Sequence, residues 1–131
     1  MGYYSDVRIK LKKEDYDKLI EEFNKKFPDL SYNLFDCRNF LKDERVDSIY
    51  DNITDKFSEI KTVFFGWNGI KWYSNCYNKD YDDVTFIENY VKNCEHFAFT
   101  RIGEDFGDIE IFGNNLNYIY VKVEFDDDVE W

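Results

Sequence analysis

The sequence has one proline, Pro28, one histidine, His96, and three cysteines, Cys37, Cys76 and Cys94. A lone histidine cannot complete a zinc site of three or four ligands, and no Cys-x-x-Cys pair is present to help it. An odd set of widely spaced cysteines does not make a disulfide framework, so reduced thiols and a cytoplasmic location are expected. No apolar run reaches the roughly 18 residues needed to span a bilayer. The start, Met1-Gly2-Tyr3-Tyr4-Ser5-Asp6, lacks the charged and apolar regions of a signal peptide. Cations are scarce, 17 Lys and Arg against 28 Asp and Glu, for a net charge of −11. A chain of that sign repels nucleic acid and anionic lipid, so neither is expected as a direct partner. Walker, dinucleotide-binding and nucleophile-elbow motifs are absent, so no common catalytic signature names a reaction.

What is present is aromatic and acidic. Aromatic residues make up 21% and hydrophobic residues 44% of 131 positions, enough for one domain with a real core. Abundant Lys, Asn, Ile, Tyr and Phe is also what an AT-rich coding genome produces, so part of the aromatic excess needs no functional reason. The acids are polarised. Residues 104–131 hold nine carboxylates and one cation, Lys122, a net of −8. The bland reading of such a cluster is solubility. The sharper one is a surface for a basic partner.

Alternation of Val7, Ile9 and Leu11 with Asp6, Arg8 and Lys10 predicts a half-buried strand over 3–11. Tyr16, Leu19, Ile20, Phe23 and Phe27 share one face of a helix from Lys13 to Phe27, which Pro28 stops. Residues 29–45 give no clear pattern. Val46, Ile49, Tyr50, Ile53, Phe57 and Ile60 recur at helical spacing and predict a second helix. Thr62–Trp67 reads as a strand, Asn68-Gly69 as a hairpin turn and Ile70–Tyr73 as the return strand. A polar loop follows, and Asp82 or Asp83 caps a helix to about Asn93. His96–Ile102 reads as a strand, Asp108–Phe112 as a short one, and Tyr118–Phe125 as the last. The expectation is one α+β domain over 1–131 with a short acidic tail, 126–131. Its single mostly antiparallel sheet of four to six strands carries two or three helices on one side, close to a split βαβ arrangement.

Two constellations bear on catalysis. Cys94 and His96 fall on the same side of a strand, as a thiol and its base or half a metal site would; a buried thiol beside a histidine is the plainer reading. Glu104, Asp105, Asp108 and Glu110 could gather magnesium, but a metal nuclease needs cations for its polyanion and only Arg101 and Lys122 are near. No catalytic residues, metal or cofactor are therefore expected. The exposed-aromatic possibilities are Tyr3, Tyr4, Trp72, Tyr73, Tyr77, Tyr81 and Trp131. Such side chains anchor interfaces because they bury much area at low entropic cost.

Gly2-Tyr3-Tyr4-Ser5-Asp6-Val7, Trp67-Asn68-Gly69-Ile70-Lys71-Trp72-Tyr73 and the stretch from Phe99 to Glu110 (FTRIGEDFGDIE) resemble a set of small uncharacterised proteins of phages and prophages. The resemblance covers the first residues and the second half of the chain, and implies an accessory protein of a mobile element. Small acidic proteins of that kind resemble inhibitors of host defence, including anti-CRISPR proteins and nucleic-acid mimics. The expectation is a non-enzymatic inhibitor, anti-CRISPR-like, that binds a basic nucleic-acid-binding protein such as a CRISPR effector or nuclease. Glu104, Asp105, Asp108, Glu110, Glu124, Asp126, Asp127 and Asp128 would stand in for phosphates, with Trp72 and Tyr73 as anchors. Two alternatives stay open. One is an immunity protein or antitoxin against a basic nuclease toxin. The other is a sponge for, or an enzyme acting on, a nucleotide signal, with Arg101, Lys71 and Trp72 holding its phosphate and base.

Overall fold

The computed structural model describes residues 3–29, 32–51, 53–74 and 81–114. The first strand, β1 (Ser5–Lys12), turns directly into helix α1 (Lys13–Lys26) with no intervening loop. Glu14 and Asp15 in the first turn and Lys25 and Lys26 in the last follow the helix dipole. The expected apolar face is the one that packs, since Tyr16, Leu19 and Phe23 are buried and Ile20 and Phe27 lie against them. After a single 3₁₀ turn, Leu34–Asp36, come β2 (Phe40–Asp51), β3 (Lys56–Ile70), α2 (Asp82–Lys92), β4 (Phe97–Gly103) and β5 (Ile109–Asn114). The five strands form one antiparallel sheet in the order β2-β3-β1-β4-β5. Without β5, this is the strand order of a split βαβ fold, with β3 inserted between β1 and β2. The fold is α+β, as the sequence leads one to expect.

Four local expectations are corrected. The helix expected over 46–60 is instead the outer part of a long hairpin. β2 and β3 pair from Phe40 opposite Trp67 to Asp51 opposite Lys56, and Asp55 takes a positive φ of 54° in the turn. Val46, Ile49, Tyr50, Phe57 and Ile60 are β-branched or aromatic, so cross-strand pairing overrides their helical spacing. The hairpin expected at Asn68-Gly69 is a bulge. Ser5 pairs with Ile70 and Val7 with Trp67, so β3 carries one extra residue there without reversing. Gly69 absorbs it at φ 58°, its N–H donating to Asp6 Oδ1 at 2.8 Å. The return strand expected at Ile70–Tyr73 does not form, because Lys71, Trp72 and Tyr73 leave the sheet. At α2 the N-cap is Tyr81, with no side-chain bond, and Asp82 and Asp83 lie within the first turn. The expected last strand, Tyr118–Phe125, lies outside the described residues, as do Trp131 and the acidic tail.

The core sits between the two helices and one face of the sheet. Val7, Ile9, Leu11, Val63, Phe65, Trp67, Phe97 and Phe99 meet Leu19, Phe23, Val84, Ile87 and Val91 there. Edge-on ring packing joins Tyr16 to Phe65 at 4.9 Å and Phe23 to Phe35 at 4.9 Å. Among the described residues no helix is long and apolar enough to cross a membrane.

Candidate functional site

The start of β1, the end of β3 and the start of α2 converge at one end of the sheet. A cavity of about 300 Å³ lies there, at the small end of the range for small-molecule sites. Tyr4 contributes from the segment before β1, Tyr32, Leu34 and Asn39 from the segment before β2, Gly69, Ile70 and Lys71 from the end of β3, and Tyr81, Asp83 and Val84 from the start of α2. Sequence distance between these four segments hid the cluster. Tyr4 and Tyr81 stood out as aromatics, but Tyr32 and Asn39 fall in the stretch without a periodic signal.

The pocket's neighbours are fixed by polar contacts. Tyr73 packs edge-on against Tyr81 at 4.8 Å, and its hydroxyl accepts from the Tyr3 backbone N–H at 2.6 Å. Trp72 is only 5% exposed and lies against Trp67 at 5.3 Å. Its Nε1 donates to Glu88 Oε2 at 2.8 Å, and Lys92 Nζ donates to Glu88 Oε1 at 2.7 Å. Burial pushes the Glu88 carboxyl up, but the bonds from Lys92, Ser74 and Trp72 and the charge of Lys92 bring it below its ordinary value. Asp83 behaves oppositely. Burial raises its carboxyl, with Asp82 adding to the rise, although Val84 N–H donates to it at 2.8 Å. A carboxyl that is hard to ionise in an aromatic cleft is the pattern of a group fitted for proton transfer.

The residues singled out from sequence are scattered. Trp72 is a core residue and Tyr73 a buttress, so neither is a free surface anchor. Arg101, whose side chain is 11% exposed, donates to Asp108 Oδ1 at 2.8 Å and to Glu110 Oε1 at 2.7 Å. It also reaches Ser5 Oγ at 3.0 Å, while Tyr3 OH donates to Asp108 Oδ2 at 2.6 Å. Arg101 thereby holds the Asp108 carboxyl below its ordinary value, with Tyr3 assisting. These two carboxylates, though partly exposed, are already paired with Arg101 and make poor phosphate mimics. Glu104 and Asp105 are exposed in the turn before β5, with Asp105 N–H donating to Tyr3 OH at 2.8 Å. Among the described residues no group of three or more His, Cys, Asp or Glu is placed to hold a metal ion. Glu124, Asp126, Asp127 and Asp128 lie outside the described residues. The Cys94 thiol donates to Tyr90 O at 3.3 Å, and burial pushes it up to about 11, so it stays protonated and is no nucleophile at neutral pH. Arg101, Lys71 and Trp72 do not form one site, since only Lys71 lines the pocket.

No protein-family model matches the sequence, and no curated protein matches it either. Among solved structures, a phage SAM lyase in complex with S-methyl-5'-thioadenosine aligns over 86% of this chain and 92% of its own, at 11% identity and a TM-score of 0.48. That protein is an enzyme. That likeness stands against the expectation of a non-enzymatic, anti-CRISPR-like inhibitor, which is not carried further. At that identity and TM-score, none of its residues or ligands is carried over to this chain.

Proposed function

We propose that this chain is an enzyme acting on a small molecule in the tyrosine-lined pocket, with Asp83 as the acid–base group. The observation that carries the proposal is Asp83 itself, a half-buried carboxyl raised by burial, lining a 300 Å³ cavity with three tyrosines. Tyr4, Tyr32 and Tyr81 offer flat faces for a planar ring, and base-on-aromatic stacking contributes about 1–3 kcal/mol per ring. Asp83 accepts a proton or a hydrogen bond from a ligand hydroxyl or amine, and Asn39 and Lys71 add polar contacts at the rim. A planar heterocycle with hydroxyl donors, the size of a nucleoside, suits that combination. The resemblance to small phage and prophage proteins supports an accessory role in a host cytoplasm, where Cys37 and Cys94 stay as free thiols.

The test is conversion. Purified protein is incubated with a panel of nucleosides and nucleotides, and substrate and product are followed by mass spectrometry. Turnover of at least one compound is expected, slowed about 100-fold or more in Asp83→Asn. Conversion should fall on the acidic side with a midpoint above the ordinary carboxylate range, because the base must be ionised. If no compound is converted and none shifts the melting temperature, the proposal fails. If Asp83→Asn converts at the wild-type rate, Asp83 is not the acid–base group.

A further inference from the structure

Among the described residues β2 is an edge strand, and it pairs with β3 along its whole length. β1 stops sooner, its last pair being Lys12 with Thr62. Residues 46–51 and 56–61 therefore project as a two-stranded arm, about 20 Å long at about 3.3 Å per residue. A two-stranded ribbon alone in water is only marginally stable. This one also bares apolar side chains, with Val46 63% and Phe57 73% exposed and Tyr50 against Phe57 at 5.1 Å. Among the described residues nothing pairs with the outer edge of β2, and an open edge of this length is a template for another strand.

The geometry points to a second copy of this chain as the partner, with β2 pairing antiparallel to β2 across a two-fold axis normal to the sheet. Such an axis keeps each side chain on its own face, so residues facing each other across the seam are equally displaced from one central residue. Charge then selects the centre. Centring on Glu44, Arg45 or Asp47 sets that charge against itself. Centring on Val46 sets Val46 against Val46. Arg45 of each copy then meets Asp47 of the other, Glu44 meets Ser48, and Lys42 meets Tyr50. No like charges meet, and opposite-charge and cation–aromatic pairs each occur twice. Centring on Ser48 also avoids like charges but pairs only residues 45–51, where the Val46 centre pairs 41–51. Alternating charge on an edge strand ordinarily blocks association; here its order is self-complementary and fixes one register.

Sedimentation velocity over a concentration series, with the full-length protein, tests this. A reversible dimer is expected, and Arg45→Asp, which faces Asp47, should raise its dissociation constant about tenfold or more. Val46→Cys should form a disulfide-linked dimer under mild oxidation through residue 46, mapped by mass spectrometry with the wild-type chain as control. Ser48→Cys should not cross-link through residue 48, because its two copies are offset by four residues, roughly 13 Å along the strand and beyond disulfide reach. A native far-UV spectrum with a monomer at every concentration overturns the inference. So does a dimer indifferent to Arg45→Asp that does not cross-link through residue 46.

Discussion

Asp83 and Arg101 show how differently one charged residue can be treated in the same fold. Asp83 has its carboxyl raised by burial, so its ionised form destabilises the folded chain. The folded state holds that proton more tightly than the unfolded one. Its contribution to stability is therefore favourable at low pH and is lost as pH rises from about 3.9, the unfolded value, through the higher folded value. Asp83→Asn should accordingly raise the melting temperature at pH 7 by a few degrees, about what 0.5–1 kcal/mol gives, and the gain should vanish at pH 3. Calorimetry at the two pH values checks it. A residue that serves chemistry at the expense of stability leaves that signature. Arg101 is the reverse case, since it satisfies Asp108, Glu110 and Ser5 together. Arg101→Ala should lower unfolding free energy by about 2–3 kcal/mol, discounted from the value for fully buried pairs because both carboxylates are partly exposed. Urea denaturation at neutral pH measures it.

Among the elements, two glycines of β3 make unlike demands. A Cβ at Gly66 would collide with the Val7 carbonyl of the neighbouring strand, whereas one at Gly69 would meet nothing but would sit at φ 58°. Gly66→Ala should separate β1 from β3 and leave little folded protein. Gly69→Ala should fold with a loss of about 1 kcal/mol, the penalty for a left-handed residue with a side chain. Circular dichroism melts of both variants distinguish them. The same strand marks how far the sequence was legible. β1, α1 and α2 announce themselves because each has one face against the core, and burial writes a period of two or of 3.6 into the residues, whereas β4, buried on both faces from Phe97 to Thr100, is legible as a short apolar run ended by Gly103. The arm of β2 and β3 has no such face, so Val46, Tyr50 and Phe57 carry no strand alternation and mimic a helix. Asn68-Gly69 has the residues of a turn, yet Asp6 and Arg8 on β1 hold it in line as a bulge. The pocket was illegible for a further reason, as Tyr4, Tyr32, Lys71 and Asp83 come together only through topology.

For the whole molecule, a net charge of −11 on 131 residues acts against the compact state. The ion pairs at Lys13, Lys25 and Arg45 are exposed and offset little of it. Raising sodium chloride from about 0.02 M to about 0.5 M shortens the screening length severalfold and should raise the melting temperature by a few degrees, as differential scanning fluorimetry would show. A fall on adding salt would mean that specific ion pairs outweigh the general repulsion. Finally, the contact between Trp67 and Trp72, 5.3 Å apart with planes inclined by 33°, has an optical consequence. Two indoles that close and that fixed couple their excited states, so the folded chain carries a paired signal in ultraviolet circular dichroism that neither ring gives alone. Trp72 follows directly on Lys71 in the pocket wall, so a ligand that shifts this wall should change the couplet, which circular dichroism would read without a label.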